Sequence, residues 1–469
     1  MDDDPSATPI HYHHRMSDED ALMWSIEKDP MLRSTITAVV LLERPVDHGE
    51  LRRSFDRLSR TVPRLRQRVR SNPMSVAPPR WEVDPAFDLD YHFRLARVPG
   101  DGSMRDLLRM VQPIAMQGFD RARPQWECTA VDGLADGRGA LIMKLHHAMT
   151  DGVGGVRLML ELFDLEPDAP ERDMPPPPPV HVLNQVERFN DALDHQVRSG
   201  LGLLRELGVT GVHVAANAAA DPVGTFANGA ELAASAARVL RPSPDPLSAL
   251  MSGRSLSNHL EALTLPLDMT RKAAKRVGGS INDAYVTGLV RGLQHYHQRH
   301  DTPLHDLRMG MPVNVRTGEM NDTAGNAFVP ARFEIPVHAQ DIFELMRTIR
   351  RRLLSARDEP ANQLVEPMAN LLNRLPTTVV TQVFGSMMKG LDFQASNVPG
   401  SPLPLYLRGV RVGSIVPFGP LAGAGCNVTL LSYENDLNIG LNLDPAAVED
   451  PDSFIECIRL GYDEVLDLA

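Results

Sequence analysis

Five consecutive prolines divide this chain into two unequal parts. The segment Met174–Val180 has the sequence MPPPPPV. Proline has a fixed φ and no backbone N–H, so such a run can form neither a helix nor a central strand, and polyproline II is the conformation that remains. A segment of that kind is a stiff spacer. We therefore place a domain boundary there, as the length of 469 residues also favours.

Hydrophobic periodicity predicts alternating strands and helices on both sides of the prolines. Before them, Thr35–Leu42 and Ala140–Leu145 are apolar runs typical of buried strands. Helical spacing follows in Gly49–Leu58 and in Gly154–Phe163. After the prolines we predict a helix at Asn282–Tyr296 and strands at Arg308–Val315, Phe328–Ile335, Arg408–Val416 and Leu437–Leu443.

These patterns indicate an α/β chain of two similar parts. We expect an N-terminal domain at residues 1–173, a proline-bounded helical connector at 174–254 and a C-terminal domain at 255–469. The connector is rich in Ala, Leu and Gly, which is typical of a crossover helix packed on the core. A helix that lies on a membrane surface is the alternative.

Composition excludes several classes of protein. The net charge of −12, from 48 basic and 60 acidic residues, argues against a nucleic-acid partner. The three cysteines form no CxxC pair, so a reducing compartment is the simplest interpretation. The N-terminus is acidic and lacks an apolar core, and no apolar run is long enough to span a bilayer. We therefore expect a cytoplasmic protein.

The strongest local signal is the segment Leu145–Gly152, with the sequence LHHAMTDG. It follows a predicted strand and precedes a predicted helix, and loops of that kind often carry reactive groups. Histidine titrates near neutral pH, so a histidine here can accept the proton of a hydroxyl and return it later. Asp151 lies four positions after His147 and can orient the loop, while Gly152 allows a tight turn at the start of the helix.

Each of these residues also has an ordinary structural explanation. Adjacent histidines in an extended segment point in different directions, which makes His146 and His147 poor ligands for a single metal ion. A histidine at a strand end is more often a satisfied polar group than a base, and Asp151 is equally suited to cap a helix. We expect neither a metal ion nor a permanently bound cofactor.

Further motifs occur in the same order as in a known family. They are Met16–Arg44 (an opening segment), Pro79–Arg94 (PRWEVDPAFDLDYHFR), Phe119–Glu127 (FDRARPQWE), Ser280–Asp283 (SIND), Met311–Arg316 (MPVNVR) with Gly325-Asn326, and Ser396–Gly400 (SNVPG). Together with HHxxxDG they resemble the bacterial wax ester synthase/diacylglycerol acyltransferase family, within the chloramphenicol acetyltransferase-like superfamily of CoA-dependent acyltransferases. The resemblance covers nearly the whole chain.

The resemblance implies a fold, a reaction and a set of roles. The implied fold has two chloramphenicol acetyltransferase-like domains, each a mixed sheet with flanking helices, and an active-site tunnel at their interface. His147 matches the general base and Asp151 the structural aspartate, with His146 and Gly152 in the same motif. Asn282 matches a residue that positions substrate or stabilises the oxyanion.

The implied reaction moves a long-chain acyl group directly from acyl-CoA, a co-substrate, to diacylglycerol or to a long-chain alcohol. Such an enzyme is expected to be cytoplasmic and able to lie at the inner membrane face or on a lipid droplet. Two alternatives stay open. One is a condensation-type domain that acts on other thioesters, although 469 residues leave no carrier module. The other is a non-catalytic lipid-binding protein of the same fold, which an intact His147 and Asp151 argue against.

Two features fall outside this pattern. Gln125 stands where a larger apolar residue is common in the relatives, which bears on the choice of acceptor. Arg64, Arg66, Arg68 and Arg70 alternate along the chain. These arginines could contact the phosphates of CoA, but we expect them to form a solvated face.

Overall fold

Two six-stranded sheets form the framework of the described part of the chain. The structure is a computed structural model, and it describes residues 13–71, 77–149, 152–197, 245–314, 328–337, 341–357 and 377–469. Its strands are β1 (Thr35–Leu42), β2 (Gln67–Arg70), β3 (Arg80–Val83), β4 (Phe93–Arg97), β5 (Trp126–Asp132), β6 (Gly139–His146), β7 (His259–Pro266), β8 (Asp306–Asn314), β9 (Phe328–Pro336), β10 (Phe393–Val398), β11 (Tyr406–Leu407), β12 (Val410–Phe418), β13 (Cys426–Tyr433) and β14 (Asp436–Leu443).

Both sheets are mixed. The first has the order β11-β12-β1-β6-β5-β4, in which only β4 and β5 pair in parallel among the strands whose registers are defined. The second has the order β7-β14-β13-β10-β8-β9, with β10 parallel to both β13 and β8. Strands β2 and β3 form a separate hairpin. This architecture confirms the predicted mixed α/β fold.

Helices flank the sheets. Those described are α1 (Asp18–Ile26), α2 (His48–Thr61), α3 (Leu89–His92), α4 (Met104–Met116), α5 (Gly152–Leu162), α6 (residues 185–197), α7 (Leu267–Lys275), α8 (Ile281–Arg299), α9 (Ile342–Arg357), α10 (Thr377–Lys389) and α11 (Pro451–Leu466). Local sequence explains several helix starts. Ser103 and Ser280 each open a capping box with the aspartate three residues later, at the first turns of α4 and α8.

The proline run lies between α5 and α6 and contains neither helix nor strand. Helix α6 lies within the predicted connector, of which residues 198–244 lie outside the described part of the chain, so the helical connector stays a prediction. One strand crosses the predicted division: β12 follows the second sheet's β10 in sequence but pairs with β1 of the first sheet. The domain boundaries at 173 and 254 stay a prediction.

Close contact between backbones joins the two sheets. Gly440 of β14 lies against the carbonyl of Pro417 in β12, where a Cβ atom would overlap that oxygen. Apolar side chains from both halves share one buried cluster here, including Val39 of β1, Leu260 of β7 and Phe418 of β12. The two halves are therefore packed against each other at the sheet that carries the histidine pair.

Candidate active site

The histidine pair occupies a sharp turn at the end of a central strand. His146 is the last residue of β6, His147–Met149 form one 3-10 turn, and Gly152 begins α5. Thr150 and Asp151 lie outside the described residues. The structure thus confirms the predicted strand–turn–helix, whereas the structural role of Asp151 stays a prediction.

Neighbouring strands fix the backbone of this turn from both sides. Strand β6 lies between β1 and β5. The His146 N–H donates to the carbonyl of Gln125 (3.0 Å), just before β5, and the His147 N–H donates to the carbonyl of Ser34 (2.8 Å), just before β1. A backbone held by hydrogen bonds on both flanks cannot move without breaking one of them.

Gln125 is part of this support. Its side chain is buried and donates to the carbonyls of Asp120 (2.8 Å) and Arg123 (2.5 Å). The residue that departs from the family pattern therefore stabilises the loop before β5, and its backbone carbonyl holds His146. The described contacts of Gln125 are structural, and its predicted bearing on the choice of acceptor stays a prediction.

His146 is enclosed by protein and is only 1% exposed. Its Nδ1 accepts the backbone N–H of Ala148 (3.0 Å), so the proton of the neutral ring is on Nε2. That Nε2 lies 2.9 Å from Oε1 of Glu27, although its N–H is not aligned for a linear hydrogen bond. The rings of Trp24 and Phe119 lie edge-on to the imidazole, at centroid distances of 5.2 and 6.4 Å.

Glu27 follows α1 and was not anticipated from the sequence. Its Oε1 accepts the Ser34 N–H (2.6 Å), and its Oε2 lies 3.6 Å from Arg121 Nη2. Burial raises the pKa of the Glu27 carboxyl, but His146, the Ser34 N–H and Arg121 outweigh burial and hold that pKa below its usual value of 4.5. Glu27 is therefore ionised at neutral pH.

His147 differs from its neighbour in exposure. Its side chain is only partly buried, whereas the ring of His146 is enclosed. An imidazole that is held by its backbone and keeps access to other molecules is suited to exchange protons with a bound hydroxyl. The role of His147 as the general base stays a prediction.

Asn282 lies at the first turn of the long helix α8. Its Nδ2 is 3.9 Å from the sulfur of Met311, and its Oδ1 is buried without a hydrogen-bond partner among the described residues. A buried amide with unused capacity, at the positive end of a helix dipole, is suited to a polar ligand. The contacts described for Asn282 do not reach His147, so their cooperation stays a prediction.

Lys144 lies two residues before His146 on β6 and is fully buried. Its Nζ donates to the Gln117 carbonyl (2.6 Å) and lies 4.3 Å from the ring centroid of Phe119. Burial lowers the pKa of Lys144 to about 8. This charged residue within an apolar strand was also not anticipated.

The four alternating arginines do not form the predicted solvated face, and that prediction is wrong. Arg64 is buried with its guanidinium 4.1 Å from the centroid of the Trp81 ring. Arg66 forms an ion pair with Asp56 (2.7 Å), and Arg68 forms one with Asp84 (3.4 Å). Arg64, Arg66 and Arg68 contact partners within the fold, because helix α2 supplies Asp56 and strand β3 with the residue after it supplies Trp81 and Asp84.

Other features bear on what the site can do. All three cysteines are buried, and burial raises the pKa of Cys128 and of Cys426. Among the described residues, no group of three or more His, Cys, Asp or Glu side chains is placed to hold a metal ion. Within the same residues, no helix is both long and apolar enough to cross a membrane.

One surface cleft lies between the two halves, lined by α4, β7 and the start of α11. Arg105, Arg109, His259 and Asp452 are among its lining residues, and His147 is not. The predicted tunnel at the interface therefore stays a prediction, and this cleft is not that tunnel.

Family models match both parts of the chain. The catalytic-domain model of the wax ester synthase/diacylglycerol acyltransferases matches residues 16–285, and the C-terminal-domain model of the same family matches residues 324–465. The chain belongs to the wax ester synthase/diacylglycerol acyltransferase family. As a member of that family it is an acyltransferase, which confirms the class of enzyme predicted from the motifs.

Relatives and solved structures agree with this assignment. A Mycobacterium tuberculosis protein assigned as a diacylglycerol O-acyltransferase is 38% identical over 459 residues, which is 97% of this chain and 93% of the relative. The O-acyltransferase WSD of Acinetobacter baylyi is 26% identical over 376 residues, 77% of each chain.

Two solved structures show the same fold. The wax ester synthase/diacylglycerol acyltransferase of Marinobacter aquaeolei VT8 superposes with a TM-score of 0.61 at 21% identity, covering 96% of this chain and 98% of its own. The first condensation domain of the calcium-dependent antibiotic synthetase gives a TM-score of 0.60 at 16% identity, covering 97% of both chains.

Proposed function

We propose that this acyltransferase moves a long-chain acyl group from acyl-CoA to the hydroxyl of diacylglycerol or of a long-chain alcohol, with His147 as the general base. The observation that carries the proposal is the position of His147. Its backbone is fixed by the Ser34 carbonyl at 2.8 Å, and the residue is partly exposed, whereas the neighbouring His146 is enclosed. The names of the relatives supply the substrate classes.

The reaction proceeds in one transfer. The imidazole of His147 accepts the hydroxyl proton while the alcohol oxygen attacks the thioester carbonyl carbon. The C–S bond then breaks, and the thiolate leaves as CoA-SH after it receives the proton from His147. General base catalysis of this kind contributes about 10²–10⁴-fold.

An acyl-enzyme intermediate has no support in the described residues. The buried thiols of Cys128, Cys426 and Cys457 cannot reach a substrate without rearrangement of the core, and burial disfavours their reactive thiolate form. Direct transfer needs only a positioned base and a site for the oxyanion. Asn282 at the start of α8 is our candidate for that site, because its Nδ2 is a donor whose described contact is only the sulfur of Met311 at 3.9 Å.

The test is thiol release from oleoyl-CoA, measured with and without dioleoylglycerol or hexadecanol. We expect acceptor-dependent thiol release that falls by about 10²–10⁴-fold in His147→Ala and remains measurable in His146→Ala. Full activity in His147→Ala would overturn the proposal. A His146→Ala variant that folds but is inactive, together with an active His147→Ala variant, would show that His146 is the base and would overturn it too.

The same assay separates the alternatives. A condensation-type enzyme would release thiol with an amine acceptor and not with either alcohol. A non-catalytic lipid-binding protein would bind dioleoylglycerol equally well with and without the His147→Ala substitution, and would release no thiol. The likeness to a condensation domain shows the fold and does not favour its chemistry.

A further inference from the structure

We infer that Glu27 is a positioning residue for the turn His147–Met149, called here the catalytic turn, and that the ring of His146 transmits the effect of Glu27 to His147. The inference rests on the proposed role of His147 as the base. It assigns a task both to the first histidine of HHxxxDG and to a carboxylate more than a hundred residues away in sequence.

The first step is that one carboxylate oxygen contacts two elements. Oε1 of Glu27 accepts the Ser34 N–H at 2.6 Å and lies 2.9 Å from Nε2 of His146. Ser34 immediately precedes β1, and His146 ends β6, which is the neighbour of β1 in the sheet. The carboxylate therefore joins the ends of two adjacent strands at the point where the catalytic turn begins.

The second step is that the hydrogen bonds of the His147 N–H and of the Ala148 N–H both go to residues that Glu27 contacts. The N–H of His147 donates to the carbonyl of Ser34 (2.8 Å), the residue whose own N–H Glu27 holds. The N–H of Ala148 donates to Nδ1 of His146 (3.0 Å), and Glu27 contacts the other nitrogen of that ring. The peptide groups on both sides of His147 are thus hydrogen-bonded to Ser34 and to the His146 ring, and Glu27 contacts both of these.

The third step concerns the tautomer of His146. Nδ1 can accept the Ala148 N–H only while it carries no proton, so the proton must remain on Nε2. A carboxylate oxygen 2.9 Å from Nε2 favours that tautomer electrostatically. Without it, the ring can adopt the other tautomer, and the Ala148 N–H then faces a second N–H.

The surroundings make these interactions strong. The Glu27 side chain is 11% exposed and that of His146 is 1% exposed. The imidazole lies between the edges of Trp24 and Phe119, and Arg121 covers the Trp24 ring with its guanidinium 4.3 Å from the ring centroid. Electrostatic contacts weaken least where water is excluded, so loss of this carboxylate is not readily replaced by solvent.

The experiment is a double-mutant cycle with Glu27→Ala and His146→Ala in the full-length enzyme. A base displaced by about 1 Å costs about 10²-fold in rate, so we expect each single variant to lower kcat by about 10²-fold with KM for oleoyl-CoA within about twofold of wild type. Both substitutions remove the same contact between Glu27 and His146, so their effects should not multiply. The kcat of the double variant should therefore fall by much less than the product of about 10⁴-fold.

Glu27→Gln keeps an oxygen acceptor of the same length for the Ser34 N–H, and we expect it to recover kcat to within about tenfold of wild type. If Glu27→Ala does not fold, the same cycle is run with Glu27→Leu, which fills the same space and also lacks the oxygen acceptor. Asp29→Ala is the matched control: Asp29 caps the next turn and pairs with Lys389 (2.6 Å), without a described contact to either histidine. Its kcat should equal that of wild type.

The outcomes are distinct. Wild-type kcat in folded Glu27→Ala, or reductions that multiply in the double variant, would overturn this inference. An equal loss in Asp29→Ala would do so too, because it would show a general loss of structure in this loop. If His147→Ala stays active, the proposed function fails instead, whatever the Glu27 variants show.

Discussion

At the scale of single residues, His146 and His147 are adjacent in the chain and have opposite surroundings. His146 is enclosed between aromatic edges and holds the N–H of Ala148, whereas His147 is held by its backbone and keeps its ring partly exposed. The end of the strand separates the two residues, because His146 is the last residue of β6 and His147 begins the 3-10 turn that follows. His146 therefore supports the turn through its contacts, and the role of base stays a proposal for His147.

Lys144 lies on the same face of β6 as His146, and it makes the free energy of unfolding vary with pH in the alkaline range. Burial lowers its pKa from 10.5 to about 8 in the folded protein, so between these values the unfolded chain binds more protons. Stability must then rise as pH increases through that window. Lys144→Met removes this dependence.

We expect the free energy of unfolding of wild type, relative to Lys144→Met, to rise by about 3 kcal/mol between pH 7.5 and 10.5. Urea unfolding of both proteins at several pH values measures this difference. Every other titrating group is common to the two proteins and cancels. Parallel stability curves would contradict a lowered pKa for Lys144.

The residues that sequence analysis predicted are those with a local pattern. His147 has a local signal, because it is a titrating side chain at a predicted strand end, five positions before Gly152. Glu27 has none, because its partners His146 and Ser34 meet it only after β1 and β6 have paired. Arg64 was misjudged for a similar reason, since the Trp81 ring that covers it comes from another strand.

At the scale of elements, helices α8 and α11 pack with their backbones in close contact. Gly461 of α11 lies against the backbone of Gly288 and Gly292 in α8, where a Cβ atom would overlap the Gly288 carbonyl oxygen and the Gly292 nitrogen. A methyl group at Gly288 would overlap the ring of Tyr462. This contact holds the helix that begins near Asn282 at a fixed distance from the C-terminal helix.

Gly461→Ala should therefore destabilise the protein by about 1–3 kcal/mol, because the helices must separate. In an exposed helix the same substitution would stabilise by about 1 kcal/mol. Gly413→Ala is the control, since its new Cβ atom would have its nearest neighbour at 3.7 Å. Urea unfolding measures both variants, and a stability gain in Gly461→Ala would show that the helices are not in contact.

Strand positions followed closely from apolar runs. The predicted strand at Thr35–Leu42 has the bounds of β1, and those at Ala140–Leu145 and Leu437–Leu443 lie within β6 and β14. Buried strands leave a continuous apolar signal, which depends on the strand alone. Their order in the sheet carries no such signal, because pairing depends on residues far apart in the chain.

At the scale of the whole molecule, one strand makes the two halves depend on each other. Strand β12 from the C-terminal part pairs along β1, and β1 pairs on its other side with β6, the strand that ends in the catalytic turn. Gly440 of β14 also meets the Pro417 carbonyl of β12 at close range. The site's own sheet is therefore completed by residues beyond the proline run.

Residues 1–173 alone should accordingly fail to form a soluble native domain. Without β12, the apolar strand β1 becomes an exposed edge, and such edges cause aggregation. Co-expression with residues 174–469 should restore the edge partner, so that a tag on the first fragment recovers both fragments as one soluble complex with circular dichroism like that of the intact chain. A fragment 1–173 that is monomeric and melts cooperatively by itself would show that the first sheet needs no strand from the other half, and would support the boundary at 173 as that of an independent domain.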